Sequence, residues 1–392
     1  MIQLVLRPGH ERRVRRGHPW VFSNEIQPPS QDTLPGQAVE IVTAGGEFLG
    51  TGYYNPHSLI AARILSRQRQ CIDCVDFYRN RLQAAFAMRE AIYNGTTAVR
   101  LVHGEGDHLP GLVVDRYDRV LSVQFLTRGI DCRQHFILQA LQDICDPEAI
   151  VARNNVAVRD LENLPRQVEI LHGQLPDRVE ITENGLRFKV DVLQGQKTGH
   201  FLDQKENHLA LRGRAAGKRM LDLFCYSGSW AIHAARFGAA EVIGIDISPA
   251  AVALAEENAR LNFKDDTCRF VTSDVFDSLR QFNSGNERFG GIILDPPAFI
   301  KNRKRLREGI KGYLTINRRA MELLEPGGFL FTCTCSHHMD RETFLDTLRQ
   351  AAFLAKREMR LLEVRGQSYD HPVLCSCPET EYLKCVVMQA CD

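Results

Sequence analysis

Up to about Gln68, apolar and polar positions alternate in short stretches separated by turns: QAVEIVTA, the turn AGGE, then FLGTGYYN, with Pro8, Pro19, Pro28, Pro29, Pro35 and Pro56 among them. A period of two interrupted by glycine and proline predicts a small, mostly β module. The period lengthens in DFYRNRLQAAFAMREAIY, Asp76 to Tyr93, where apolar positions recur at helical spacing and open a second region. GLVVDRYDRVLSVQFL then reads as a hairpin turning near DRYD, CRQHFILQALQDIC as a helix, and AIVARNN and QVEILHG as strands, an order that suggests an α+β middle domain. From about Val179 the pattern changes again. One hairpin, VEIT and LRFKVDV about the turn ENG, leads into repeated strand and helix units: RMLDLFC, a helix through Trp230 to Phe237, EVIGID, PAAVALAEENARLN, CRFVTSD, GIILDPP and GGFLFTCTC. Short apolar strands alternating with amphipathic helices predict a parallel, doubly wound α/β sheet with its ligand at the carboxyl ends of the strands. The domain boundaries expected are 1–72, 73–178 and 179–392.

A chain of 392 residues has room for three such domains, each with its own core. Lysine plus arginine stands at 49 against 48 for aspartate plus glutamate, which excludes a uniformly basic nucleic-acid coat but allows local patches. No apolar run is long enough to span a bilayer. The start, MIQLVLRPGHERRVRRG, is interrupted too early by Arg7 for a signal peptide. The expectation is a soluble cytoplasmic enzyme with no membrane partner. Several of the twelve cysteines lie inside apolar runs, as reduced thiols packing like small hydrophobes would. CIDC (Cys71, Cys74) and CSC (Cys375, Cys377) lie roughly three hundred residues apart without the tight turns of a zinc knuckle, so no metal site is expected.

The candidate chemistry gathers at the strand ends of the last region. In LDLFCYSGSW a strand ends at Asp222 to Phe224, and a turn carries Tyr226, Ser227, Gly228 and Ser229 into a helix, with Gly228 allowing close approach of a ligand to the backbone. Eighteen residues beyond Gly228, Asp246 closes the next strand beside Ile247, where a carboxylate can accept from both hydroxyls of a ribose. Asp274, next to Val275, closes a third strand in a place suited to an adenine edge. The rival is a nicotinamide dehydrogenase, but a dinucleotide needs several glycines to seat its pyrophosphate and one is present here. A nucleoside without phosphates, S-adenosylmethionine, fits better. GRAAGKR, Gly213 to Arg219, precedes its strand and lacks the Ser or Thr of a phosphate loop, and reads as a basic loop.

Two motifs then suggest different reactions. LDPPAF, Leu294 to Phe299, closes a fourth strand. Asp295, Pro296 and Pro297 followed by the ring of Phe299 suit an exocyclic amine held by hydrogen bonds and a base stacked on an aromatic surface. Amine transfer needs no covalent intermediate. A pyrimidine C5 is not nucleophilic until something adds to C6, and a cysteine thiolate is suited to that addition. Cys335, at the carboxyl end of GGFLFTCTC, is placed for it; Cys333, two residues earlier, reads as packing.

PGHERRVRRGHPWVFSNEI, GEGDHLPGLVVDRY, QKTGHFLDQKENH, LDLFCYSGS, LDPPAF, TCS and the late DHPVLCSCPETEYLK occur in the order seen in the bacterial large-subunit (23S) ribosomal RNA cytosine-C5 methyltransferase I family, which the chain resembles over nearly its whole length. The resemblance implies an N-terminal β-rich PUA domain, a central α+β domain of EEHEE type and a C-terminal Rossmann-like class I methyltransferase domain. It also implies S-adenosyl-L-methionine as cofactor, Cys335 as nucleophile, Asp295 on the target base, and FLDQ (Phe201, Asp203, Gln204) helping to enclose the cofactor. The chain departs from the family pattern at Ser229, which replaces a glycine, at His200, which replaces an aromatic, and at His337 and His338 after TCS. A sister branch of the same fold methylates guanine nitrogens and shares the DPP element, so that alternative stays open, as does a non-catalytic RNA adaptor.

The partner implied is large-subunit ribosomal RNA, and the resemblance is compatible with a homodimer. Arg12, Arg13, Arg15 and Arg16 cluster beside His18 and Trp20, and KNRKRLREGIK brings Lys301, Arg303 and Lys304 after the DPPAF loop; both runs are expected to meet phosphates.

Overall fold

The computed structural model describes residues 1–29, 33–264, 266–300 and 303–391. Its backbone falls into two units: residues 1–185 with 190–202 and 369–380, and residues 186–189 with 203–368 and 381–392.

Two sheets build the first unit. Ile2–Val5, Trp20–Val21, Ala38–Val42, Phe48–Tyr54 and Ala62–Ser66 form a five-stranded sheet in the order first, third, fourth, fifth, second, closed around Leu4, Val14, Val39, Ile41 and Ile64. The alternating stretches QAVEIVTA and FLGTGYYN are its middle hairpin. The other five-stranded sheet runs from Ala98–His103 through Leu112–Tyr117, Val120–Phe125 and Ala149–Arg153 to Val168–Gly173. The turn near DRYD is made with Asp118 in the left-handed region, φ 56°. The helices Val75–Ile92 and Gln134–Cys145 supply Tyr78, Leu82, Phe86, Ile137 and Leu141 to the core over this sheet. Ala98–His103 is a strand that the sequence pattern did not mark. The ring of Tyr53, on the first sheet, packs on Gly129 of the short helix Arg128–Asp131 that follows Val120–Phe125; a Cβ there would lie 2.0 Å from the ring, so only glycine fits. The Tyr53 hydroxyl donates to the Pro110 carbonyl at 2.8 Å. Buried carboxylates here are paired, Asp107 with Arg89 at 2.5 Å, Asp115 with Arg100 at 2.7 Å and Glu162 with Arg63 at 2.8 Å, as burial of charge requires.

The second unit is a seven-stranded sheet of Arg219–Leu223 (β1), Glu241–Asp246 (β2), Cys268–Thr272 (β3), Phe289–Leu294 (β4), Leu324–Thr334 (β5), Met359–Arg365 (β6) and Lys384–Ala390 (β7), in the order β3-β2-β1-β4-β5-β7-β6. Strands β1 to β5 are parallel, as expected. Strand β7 is antiparallel to both β5 and β6, so the sheet is mixed rather than purely parallel. Strand β5 starts at Leu324, before the turn EPGG, with an irregular register there. Helices Ser229–Arg236 (α1) and Pro249–Asn262 (α2) bring Trp230, Ala234 and Ala255 to one face, with Met220, Val242, Ile293, Phe331 and Cys333. Val275–Ser284 (α3), Leu306–Glu322 (α4) and Arg341–Ala355 (α5) bring Leu279, Ile316 and Phe344 to the other, with Leu221, Leu223, Ile292, Leu294 and Leu330. Ile292 and Leu294 against Ile293 is the period of two of a strand buried on both faces. Strand order reverses between β1 and β4, and sheets of this kind bind their ligands at the carboxyl ends of the strands beside such a switch point. Among the described residues no helix is long and apolar enough to cross a membrane.

Candidate active site

The turn after β1 is held in an unusual shape. Phe224 and Cys225 both donate their amides to the Ile245 carbonyl, at 2.9 and 3.0 Å, which folds the chain over the end of β2. Phe224 and Tyr226 are driven into the left-handed region, with φ of 67° and 45°, a cost of about 1–3 kcal/mol each that surrounding contacts must offset. Part of that offset comes from Asp246, whose Oδ2 accepts the Tyr226 amide at 3.0 Å and whose Oδ1 accepts that of Ser248 at 2.9 Å. Gly228 also has positive φ, 80°, and a Cβ there would stand 3.0 Å from both Ala255 and Phe270, so the glycine serves packing as much as ligand approach. The Ser227 carbonyl accepts from Asn258 at 3.0 Å. Asp274 lies beyond the end of β3 and caps α3, accepting from Phe276 at 2.8 Å and Asp277 at 3.1 Å, with Val275 buried behind it.

Two features at these strand ends suit an adenosyl ligand. Ile247 is 69% exposed directly after Asp246, an apolar surface of the size that a purine ring covers. Asp222 is fully buried, its Oδ2 accepting the Ala231 amide at 3.0 Å and its Oδ1 left without a hydrogen-bond partner. Burial, and next the neighbouring Asp295, push the Asp222 carboxyl well above the usual carboxylate range. An aspartate shifted this way is protonated in both folded and unfolded chains below pH about 4. Above that the unfolded chain ionises first, and stability falls as pH rises towards the folded value. Asp222→Asn mimics the protonated acid and keeps an acceptor for Ala231. The cofactor-free variant is expected to melt above the wild type at pH 8, with the gap closing as pH falls towards 4; a pH-independent difference in calorimetry would refute this.

Asp295 follows β4 directly. Its Oδ2 accepts from Gln204 Nε2 at 2.9 Å and from Trp230 Nε1 at 3.3 Å. Gln204 is held in turn by Asn207, which donates to its Oε1 at 2.7 Å. Gln204 is therefore occupied in orienting Asp295, and Asp203 accepts from the Tyr382 hydroxyl at 2.7 Å. Phe201 belongs to the first unit, where the Lys197 ammonium lies 4.4 Å from its ring centroid. Pro296 is buried and Pro297 exposed. Phe299, half-buried, sits in an aromatic cluster with Tyr313 at 4.8 Å, Phe276 at 6.3 Å and Phe224 at 6.4 Å between ring centroids.

Cys335 lies just past β5. Thr334 donates to the Tyr313 hydroxyl at 2.8 Å, and that hydroxyl lies 3.1 Å from Ser336 Oγ, so both flanking side chains are tied to one buried tyrosine of α4. Ser336 also accepts the Ile300 amide at 3.3 Å, joining this strand end to the DPPAF loop. The Cys335 side chain is half-buried, whereas Cys333 is fully buried opposite Cys385 on β7. Burial, and then Cys385, push the Cys333 thiol well up, away from the thiolate form. Trp230, Tyr313 and Ser336 were not foreseen. The first was legible in SGSW, since a buried indole N–H needs an acceptor.

The basic residues are divided. Arg13 pairs with Glu25 at 3.0 Å and covers the Phe22 ring, and Arg15 pairs with Glu47, while Arg12 and Arg16 are exposed. The four do not form one set of available charges. Lys304 is exposed; Lys301 lies outside the described residues, and Arg303 is described only as part of a backbone turn. His18, Cys377 and Glu379 bring ligand-type atoms within 4.8 Å of one another. The Trp20 amide donates to His18 Nδ1 at 3.1 Å, which leaves Nε2 as the N–H facing Glu379 at 3.2 Å, a hydrogen bond rather than a metal ligand.

Comparison with known proteins identifies the domains and the family of the chain. A PUA-like domain model matches residues 4–67, and an S-adenosylmethionine-dependent methyltransferase model matches residues 99–363. Ribosomal RNA large subunit methyltransferase I proteins of Serratia proteamaculans and Yersinia pseudotuberculosis are 39% and 38% identical to the chain, covering 98% of it and 98% of each relative. Among solved structures, a SAM-dependent methyltransferase from Streptococcus mutans superposes with a TM-score of 0.84 at 24% identity over 99% of this chain and 100% of that one. SMU.776, a methyltransferase complexed with SAH, gives 0.86 at 24% identity over the same shares.

Proposed function

We propose, from the premise that the chain belongs to the ribosomal RNA large subunit methyltransferase I family of S-adenosylmethionine-dependent enzymes, that it forms 5-methylcytosine in large-subunit ribosomal RNA through a covalent adduct of Cys335. The observation that carries this reading is the contrast between the two cysteines of TCTCS: one buried with its thiol pushed up, the other half-buried at a strand end fixed on both sides to Tyr313. Amine methylation gives no role to a held cysteine in that position.

In this reading the Cys335 thiolate adds to C6 of the cytosine, and the π electrons of the C5–C6 bond move to C5, which becomes nucleophilic. Asp295, oriented by Gln204 and Trp230, serves as the hydrogen-bonding acid near N3 and the amine once it carries a proton in the RNA complex, giving that proton to N3 as charge reaches the ring and taking it back when the thiolate leaves. Bound S-adenosylmethionine would supply an electrophilic methyl group, which C5 takes to form the C5–methyl bond. After loss of the C5 proton, the C5–C6 bond re-forms and the thiolate leaves with the electron pair of its C–S bond. Phe299 supports the base, and Pro296 and Pro297 shape the loop that carries it. Residues 1–72, 73–178 and 179–392 would serve as RNA-binding, central and catalytic domains. Mapping methylated nucleosides in ribosomal RNA by mass spectrometry, with and without the protein, tests the product. A methylated guanine in place of 5-methylcytosine would favour the DPPAF motif as the whole of the chemistry.

Asp222, Asp246, Ile247, Asp274 and the turn from Phe224 through Tyr226 and Ser227 to Gly228 would hold the cofactor. Asp246 keeps lone pairs on both oxygens beyond those given to Tyr226 and Ser248. Asp246→Ala is expected to weaken S-adenosylmethionine binding by about 1–3 kcal/mol, through the lost charged hydrogen bond and the loosened turn. An unchanged Kd by titration calorimetry removes Asp246 from the site.

A further inference from the structure

A cleft of 660 Å³ opens in the first unit between the end of the strand Ala62–Ser66 and the helix Val75–Ile92, and its charge is one-sided. Its lining includes Arg67, Arg81 and His108, with the amides of Gln68, Gln70 and Asn80, and among the described residues contains no aspartate or glutamate. Neighbouring arginines in the same two segments are neutralised: Arg63 by Glu162 at 2.8 Å, Arg69 by Glu40 at 3.3 Å, and Arg79 by Asp143 at 2.6 Å. The two that face the cleft are held differently. Arg67 donates to the carbonyls of Leu49 at 3.1 Å and His18 at 3.0 Å, and Arg81 to the carbonyl of Leu65 at 2.9 Å. Backbone carbonyls orient a guanidinium without cancelling its charge. Among the described residues neither has a carboxylate partner. Two oriented, uncompensated guanidiniums with amide donors between them match the acceptor-rich, singly charged units of a phosphodiester chain.

We propose that this cleft binds the sugar–phosphate backbone of the RNA substrate, as a contact separate from both basic runs of the sequence. The proposal rests on the reading of the protein as an RNA methyltransferase and makes no demand on which base is methylated.

The test uses the full chain and fluorescein-labelled transcripts tiling large-subunit ribosomal RNA, with binding followed by anisotropy across a potassium chloride series. Removing two phosphate contacts in R67Q/R81Q is expected to lower the slope of log K against log salt by about 1.5. R67K/R81K should keep the wild-type slope, and the Kd for S-adenosylmethionine should be the same in all three. Because Arg67 also ties two carbonyls, R81Q alone provides the same test at about half the change in slope, should the double variant not fold. A wild-type slope in folded R67Q/R81Q or R81Q overturns the proposal. So does displacement of the RNA by polyglutamate as effective as by unlabelled transcript, which would make the cleft a site for acidic polypeptides. A wild-type protein with no salt-dependent affinity for any transcript would remove the RNA reading itself, a result distinct from an unchanged slope in the variants.

Discussion

Wild-type protein mixed with S-adenosylmethionine and a large-subunit ribosomal RNA fragment carrying 5-fluorocytosine at the target is expected to yield a denaturant-resistant protein–RNA complex, and Cys335→Ala to yield none. Fluorine at C5 permits thiolate addition and methylation but cannot leave as a proton does, so the adduct persists. On unmodified RNA, Cys335→Ala should lose methylation by on the order of 10⁴-fold or more, the scale seen when a covalent nucleophile is removed. Cys333→Ala should still form the complex. Its thiol is packed against Cys385 and pushed up by burial, so its loss is one of volume in the core rather than of chemistry. An adduct that depends on Cys333 and survives Cys335→Ala would move the nucleophile by two residues. Full methylation by Cys335→Ala, without any adduct, would assign the reaction to direct attack by an amine.

The parts of the molecule legible in the sequence are those set by local periodicity. The helix over PAAVALAEENARLN starts at Pro249, directly after its Ser248 cap, which is as the pattern reads, because a cap and a proline at the first turn are local signals. EVIGID and GIILDPP are strands for the same kind of reason, being short and apolar throughout. Other parts depend on partners distant in the chain. Nothing near KCVVMQA shows that it will enter the sheet between two other strands and run antiparallel to them. AVRLVH was not marked as a strand, since its polar Arg100 is satisfied by Asp115, fifteen residues away, and the pattern alone does not reveal that pairing. In the site, the acidic strand ends were readable one at a time. The partners of the site residues were not: Asp274 also caps a helix, Gln204 turns to Asp295, and Arg13 and Arg15 pair with Glu25 and Glu47. Each outcome is decided by which opposite partner the fold brings within about 3 Å, and such contacts leave no periodic trace.

Substitutions at Asp295 are expected to separate chemistry from architecture. Its Oδ2 takes hydrogen bonds from Gln204 and Trp230, so Asp295→Ala leaves two donors in a half-buried site without an acceptor. That should cost about 1–3 kcal/mol in stability in addition to turnover. Asp295→Asn retains an oxygen for those donors but cannot act as an acid. It should therefore keep the S-adenosylmethionine affinity and fold of the wild type while kcat falls by about 10²–10⁴-fold. A second effect works in favour of the asparagine variant. The Asp295 charge is one cause of the raised Asp222 carboxyl, so removing it lets Asp222 fall back towards its ordinary range and reduces the loss of stability at neutral pH. Asp295→Asn is thus expected to melt no lower than the wild type at pH 8, and combining it with Asp222→Asn should gain less than the sum of the two, because each relieves part of the same repulsion. Wild-type kcat in Asp295→Asn would reduce Asp295 to a hydrogen-bonded support for the loop, and strict additivity in the cycle would remove the carboxylate pair from the account of stability.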